Sequence, residues 1–199
     1  SQLSKLVNYF QNYKVNVYAT GGTYSRLRDY KNKINLINLS DYTNFPEIMD
    51  GRIKTLHPSI FAGLLAMKNN KVHTQQLEKY NFKFFDLVVV NLYPFENSIK
   101  KNHFKESIEN IDVGGPAMIR SAAKNFESVI VLTNPNQYKD FIKKGINFNN
   151  NFDFEYRRNL AAEAFKLTTY YDAIIANWLQ AKLDIKSLTS LPLKKIKDL

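Results

Sequence analysis

The sequence predicts an α/β fold, a parallel sheet flanked by helices, and three observations carry that prediction. Period-2 apolar runs alternate along the chain with helical patterns, as βα units do. KVNVYAT, residues 14–20, reads as a strand running straight into the glycine turn and helix start of GGTYSRLRDY. DLVVVNLYPF, residues 86–95, holds an uninterrupted β-branched run that suits a strand buried on both faces, so it is expected at the centre of the sheet.

The remaining elements follow in order. Leu3, Leu6, Val7 and Phe10 share one helical face in QLSKLVNYFQ, and INLINL reads as a second strand. SIFAGLLAM is a buried segment that periodicity leaves open between helix and strand, and VHTQQLEKYNF reads as helix and loop. FKESIENI is helical, and DVGGPAMIRSAAKN places two glycines and a proline where a helix would begin, proline being favoured at the first helical position. SVIVLT is another strand, ended by the turn-like NPNQ. From residue 153 to about residue 179, Phe154, Ala161, Phe165, Thr168, Tyr171, Ile175, Trp178 and Leu179 recur at helical spacing, which is packing rather than chemistry. AKLDIKSLTSLPLKKIKDL is sparse in periodicity and reads as a linker, and the Asn-rich GINFNNNFDF is the one biased segment.

Composition narrows the function classes. At 199 residues, 44% hydrophobic and 14% aromatic, the chain can bury a core and is expected to form one domain. The absence of cysteine removes disulfide frameworks, thiolate metal sites and cysteine nucleophiles together. No apolar run approaches the roughly 18 to 20 residues that span a bilayer, and no signal-peptide pattern opens the chain, so the cytoplasm is the expected address and a membrane is not an expected partner. A net charge of +10 would suit a nucleic-acid surface, but the lysines are scattered among Asn, Ile, Tyr and Phe, so nucleic acid is not expected either. Both ends read as cut, since SQLSKLVNYF lacks an initiating Met and LPLKKIKDL lacks a stop-like cap.

In an open α/β sheet, ligands collect beyond the carboxyl ends of the strands, and four segments are expected there. TGGT offers the hydroxyls of Thr20 and Thr23 and the backbone N–H groups around Gly21 and Gly22, the equipment of an anion site, although an ordinary strand-to-helix turn has the same residues. MDGRIKTLHPSIFAGLL puts Arg52, Lys54 and His57 within six residues, with Asp50 the nearby acid and core directly after. These are cations for an anion or a solvated basic loop, and His57 also reads as a core histidine. NLYPF brings Asn91 and Tyr93 to the end of the expected central strand, where Tyr93 reads equally as a packing aromatic. DVGGPAMIRSAAKN adds Asp112, which reads as a helix cap or a functional carboxylate, then Arg120, Ser121 and Lys124 one to three turns later. His103 reads as exposed, and with His73 far from any acidic cluster no metal constellation is expected.

The runs TGGT, SDYTNFPEIMDGRIKTLHP, VVVNLYPF, NIDVGGPAMIRSAAKN and YDAIIANW, in order and spacing, resemble the N-terminal inosine monophosphate cyclohydrolase domain of the bifunctional purine-biosynthesis family, over nearly the whole chain from Leu3 onward. That resemblance implies a methylglyoxal synthase-like fold over residues 1–180, with residues 181–199 leading towards a formyltransferase domain that this chain does not include. The family begins with a strand and a Ser/Asp/Lys-containing loop that SQLSK does not reproduce, so an inner strand and part of the phosphate grip are expected to be missing.

The implied substrate is 5-formamidoimidazole-4-carboxamide ribonucleotide, whose carboxamide nitrogen attacks its own formyl carbon and closes the purine ring with loss of water. The resemblance gives Asp112 the carboxamide proton, Lys54 and Tyr93 the departing oxygen, and Lys124 a share of the charge balance. The division of labour stays open, because a lysine and a carboxylate can exchange roles through coupled titration. Thr20, Gly21, Gly22, Thr23, Arg52 and Thr55 would hold phosphate and ribose, with Asn91 beside them, and the backbone of Val113, Gly114 and Gly115 would approach the base. No cofactor or metal is implied for ring closure, whereas 10-formyltetrahydrofolate would serve the formyltransferase, and a homodimer is implied for the full-length protein. Two other classes remain. A regulatory nucleotide- or phosphate-binding module would need TGGT but not the set of Lys54, Tyr93, Asp112 and Lys124, and a nucleic-acid binder would show steep salt dependence.

Overall fold

The computed structural model describes residues 2–100, 103–144 and 154–181. The Asn-rich run up to residue 153 and the linker expected at the end of the chain fall outside them, apart from Phe154 and Ala181. The fold is α/β, with parallel strands flanked by helices. Helix α1 (Gln2–Asn12) turns Leu6, Val7, Tyr9 and Phe10 inward, as its spacing predicts. Strand β1 (Asn16–Ala19) pairs in parallel with β2 (Asn35–Asn38), Asn16 opposite Asn35 and Ala19 opposite Asn38. The crossover is α2 (Gly21–Leu27) and a 3-10 turn, Arg28–Tyr30. INLINL gives up its last residue to α3 (Leu39–Thr43), because the Asn38 side chain accepts the Ser40 N–H and starts a helix there.

The open segment SIFAGLLAM proves helical, forming α4 (Pro58–Leu65). His57 sets it up: its backbone is extended and its Nδ1 accepts the Ser59 N–H, while Pro58 supplies the first helical φ. Helix α5 (Lys71–Lys79) follows, capped by Asn70. Strand β3 (Leu87–Val89), α6 (Phe95–Ile99), α7 (Phe104–Glu109), α8 (Gly114–Lys124), β4 (Ile130–Leu132), α9 (Gln137–Lys143) and α10 (Phe154–Gln180) complete the order. Pro116 is the third residue of α8 rather than the first, still within the turn whose N–H groups have no intrahelical acceptor. Among the described residues no helix is long and apolar enough to cross a membrane.

The central-strand expectation needs correcting. Among the described residues the strands form two separate parallel pairs, β1 with β2 and β3 with β4. In β3 only Val88 is buried, whereas all three residues of β4 are. The cause is tertiary: α8 and α10 both pack on β4, and only α8 of the two packs closely on β3. The long helix α10 buries Leu160, Ala161, Ala164, Thr168 and Tyr171, but Phe154 and Phe165 of the expected stripe stay partly exposed. Phe154 meets the edge of Phe126, and the Arg120 guanidinium lies over the Phe165 ring. Between the two strand pairs, Tyr18, Tyr42 and Phe85 pack edge to face, with centroids 4.9 to 5.9 Å apart.

Candidate active site

The TGGT turn stands where β1 gives way to α2. Thr20 is extended and caps the helix, and its carbonyl accepts the N–H groups of both Thr23 and Tyr24 at 3.0 Å. Thr23 therefore brings its hydroxyl but not its N–H, so the donors expected from this turn narrow to Gly21 and Gly22. Gly21 has φ +43°, a conformation glycine adopts without penalty, and Gly22 has open space where a side chain would stand. The turn is thus exposed and unobstructed.

The basic loop is a tight hairpin. Ile48 and Ile53 exchange backbone hydrogen bonds at 3.2 and 3.3 Å, and Met49, Asp50 and Gly51 all take positive φ between them. Asp and Gly tolerate that region, while Met49 is strained there, and such strain concentrates at functional sites. Glu47 lies between this hairpin and the TGGT turn: a methyl group at Gly21 would come within 3.9 Å of its Oε1, and one at Gly51 within 3.8 Å of its Oε2. The hairpin presents Arg52, and Lys54 follows it, exposed and without an ion pair among the described residues. His57 is engaged locally, its Nδ1 lying 2.7 Å from the Ser59 hydroxyl and accepting the Ser59 N–H at 3.3 Å.

The two glycines before Pro116 admit three close neighbours. At Gly114 a methyl group would sit 2.2 Å from Thr55 Oγ1; at Gly115 it would sit 2.3 Å from Asp112 Oδ2 and 2.9 Å from Leu92 Cδ2. Only bare backbone lets all three residues close on the start of α8. Lys54 is one residue before Thr55, Tyr93 one after Leu92, and Asp112 two before Gly114, so each of the three expected catalytic residues either touches the start of α8 or is next in the chain to a residue that does. Asp112 is a helix cap, with Oδ1 accepting the Gly115 N–H at 2.9 Å, and its own N–H donates to the Tyr171 hydroxyl at 2.8 Å. Burial pushes the Tyr171 phenol up. The Gly115 N–H is consequently already used within the helix start. Tyr93 is 63% exposed, so it is not a packing aromatic, and Val113 is exposed beside it. Asn91 donates through Nδ2 to the buried Tyr138 hydroxyl at 2.6 Å, which fixes its amide.

Lys124 does not join this group. It is the last residue of α8, ten residues beyond Gly114, which at 1.5 Å per residue is about 15 Å along the axis. It lines a shallow depression with Arg120, Ser121, Arg158 and Phe165. The sequence reading also missed residues that complete the site. Arg52 is balanced not by Asp50 alone but by a two-pronged pair with Glu109, the last residue of α7. Glu109, Tyr138 and Tyr171 lie 57, 47 and 59 residues from the side chains or backbone they hold, a separation no local pattern reports.

Comparison with known proteins bears on the chain as a whole. The family model of the MGS-like domain matches residues 2–117, and that of the AICARFT/IMPCHase bienzyme matches residues 122–199. A protein of Caldicellulosiruptor saccharolyticus described as bifunctional purine biosynthesis protein PurH is 48% identical over 166 residues, covering 82% of this chain and 32% of its own length. One of the same description from Clostridium perfringens is 42% identical over 197 residues, covering 98% of this chain and 39% of its own length. The chain thus spans between a third and two fifths of these curated relatives. The crystal structure of ForH superposes with a TM-score of 0.78 at 32% identity, covering 92% of this chain and 93% of that one.

Proposed function

Since the chain belongs to the bifunctional purine-biosynthesis family and to its MGS-like part, we propose that it is the inosine monophosphate cyclohydrolase, closing the purine ring of 5-formamidoimidazole-4-carboxamide ribonucleotide. One observation carries the reading: Thr55, Leu92 and Asp112 close on the glycines that open α8, so Lys54, Tyr93 and Asp112 each stand at that contact or next to it in the chain.

The reaction joins two groups of one molecule, so most of what catalysis needs is an enforced conformer. The carboxamide nitrogen forms a bond to the formyl carbon and gives its proton to the Asp112 carboxylate. The formyl oxygen gathers negative charge as its π bond opens, and Lys54 and the Tyr93 hydroxyl stabilise that charge. The oxygen takes up the proton first given to Asp112 and a second that the formamido nitrogen releases, and it leaves as water as that nitrogen forms the C=N bond that completes the aromatic ring. Thr20, Gly21, Gly22, Thr23, Arg52 and Thr55 hold the phosphate and ribose, and Asn91, fixed by Tyr138, orients the ligand. Val113 and Gly114 bring backbone towards the base.

Ring closure on this scheme needs no cofactor. The same reading places the chain in the cytoplasm, as the part up to residue 180 of a longer homodimeric protein whose formyltransferase domain uses 10-formyltetrahydrofolate. The test is the absorbance change as inosine monophosphate forms from the formamido ribonucleotide. Lys54→Ala and Asp112→Asn should each lower kcat by about a hundredfold or more, as expected when a group stabilising developing charge is removed. Full turnover in both variants would sink the assignment, while ligand binding without turnover in the unaltered chain would favour a binding module.

A further inference from the structure

Arg52 is the cation best placed for the phosphate of such a ligand, yet it leaves the hairpin on a long and exposed side chain, 62% accessible. A free arginine there would sample many rotamers, and ordering it would cost affinity. The structure instead holds it: Nε donates to Glu109 Oε2 at 3.1 Å and Nη2 to Glu109 Oε1. The paired carboxylate keeps Arg52 charged, raising its already high pKa, first through the hydrogen bonds and then through the charge.

We propose that Glu109 is a positioning residue for the anionic end of the ligand. A guanidinium has two edges able to make parallel hydrogen bonds. Glu109 occupies the Nε/Nη2 edge, which fixes the plane and leaves the Nη1/Nη2 edge for a phosphate. Its place in the chain adds a second effect. Glu109 ends α7 three residues before Asp112, so the pair ties the hairpin carrying Arg52 to the turn carrying the carboxylate. Phosphate capture and orientation of the reacting carboxamide are thereby set in one frame. The pair is open to solvent on both sides, so its worth to overall stability is small and its purpose is geometric.

This inference rests on the nucleotide reading above, and the experiment separates the two. In Glu109→Gln the carboxylate is lost but the length is kept. The expected result is a rise in KM for the formamido ribonucleotide of about five- to tenfold, the cost of ordering one long side chain, with kcat unchanged. Affinity for inosine monophosphate should fall by the same factor while affinity for inosine, which lacks the phosphate, does not move. Arg52→Lys cannot be gripped on two prongs, so adding Glu109→Gln to it should change little, a non-additivity that a purely structural role for Glu109 would not produce. If Glu109→Gln leaves KM unchanged or lowers it, the inference is overturned and Glu109 is a bystander or a competitor of the phosphate. An unaltered chain that neither turns over nor binds inosine monophosphate overturns the nucleotide reading, and this inference with it.

Discussion

The two strand pairs are built from similar sequences and packed very differently. Every residue of β4 is buried, at 0% or 1% exposure, whereas β1 buries only Ala19 and β2 buries none fully. The difference is cover: α8 and α10 enclose β4, while β1 and β2 lie mainly against α2, α3 and one another. The division has a counterpart in the site. The proposed capture residues, in the TGGT turn and the strained hairpin, follow the lightly packed pair. Asp112 stands before α8 and leans on Tyr171 of α10, so the carboxylate proposed to react is set by the dense part of the molecule. Groups that meet the ligand first tolerate movement, and the group that must be aimed is mounted on the core.

This contrast can be broken most directly by stability. Leu132, in β4, is fully buried, so Leu132→Ala should cost about 3–5 kcal/mol. Leu36→Ala, in the half-buried β2, should cost about 1 kcal/mol. Urea midpoints measure both, and equal losses would show that the two pairs are equally packed after all.

A smaller effect tests the seam where the two sides meet. Gly114→Ala drives a methyl group onto Thr55 Oγ1, which can rotate away, so stability should fall by no more than about 1–2 kcal/mol. Turnover should fall further, by about tenfold or more, because Thr55 and the neighbouring Lys54 shift against Asp112. A variant that lost stability and activity in the same proportion would argue that the close approach is only packing.

The mildest test is alkaline titration. Burial pushes Tyr9 up to about 12, with a further contribution from Tyr13, and burial also raises Tyr18, Tyr42, Tyr138 and Tyr171. A phenol whose pKa is higher folded than unfolded keeps its proton longer in the native state. Its contribution to stability is complete below about pH 10 and is lost as pH rises through the folded value. Because Tyr18 and Tyr42 sit between the strand pairs and Tyr138 is held by Asn91 just beyond β3, ionisation of these buried phenols and loss of circular dichroism should appear together above about pH 10. Complete phenolate formation, the buried tyrosines included, with the fold intact would contradict this.

Much of this fold is legible in the sequence because it is written locally. The βα alternation, the glycine turn after β1, the amphipathic face of α1 and the start of α8 each depend on a few neighbouring residues. What escapes is whatever depends on partners far along the chain. LVV in β3 and IVL in β4 look alike, and only the helices packed over them decide which is the buried one. SIFAGLLAM can be assigned once His57 is recognised as a cap. At the site, the adjoining placement of Lys54, Tyr93 and Asp112 is expected from the sequence, but Glu109, Tyr138 and Tyr171, which hold the neighbouring groups in place, leave no trace in it. Lys124 is the opposite case, since the ten helical residues that separate it from Gly114 already measure the distance in the sequence itself.

Asn125, at the far end of α8, is buried and donates through Nδ2 to the carbonyls of both Leu64 and Ala66, at 2.9 Å each. These carbonyls belong to the last turn of α4 and its cap, while at the other end Thr55, just ahead of α4, abuts Gly114. The two helices therefore run side by side in the same direction and are fastened at both ends, so they swing as one beam. Any breathing that opens the basic hairpin must bend the chain before Thr55 rather than slide α4 along α8, which confines the softness to the chain ahead of α4 and leaves the paired helices stiff.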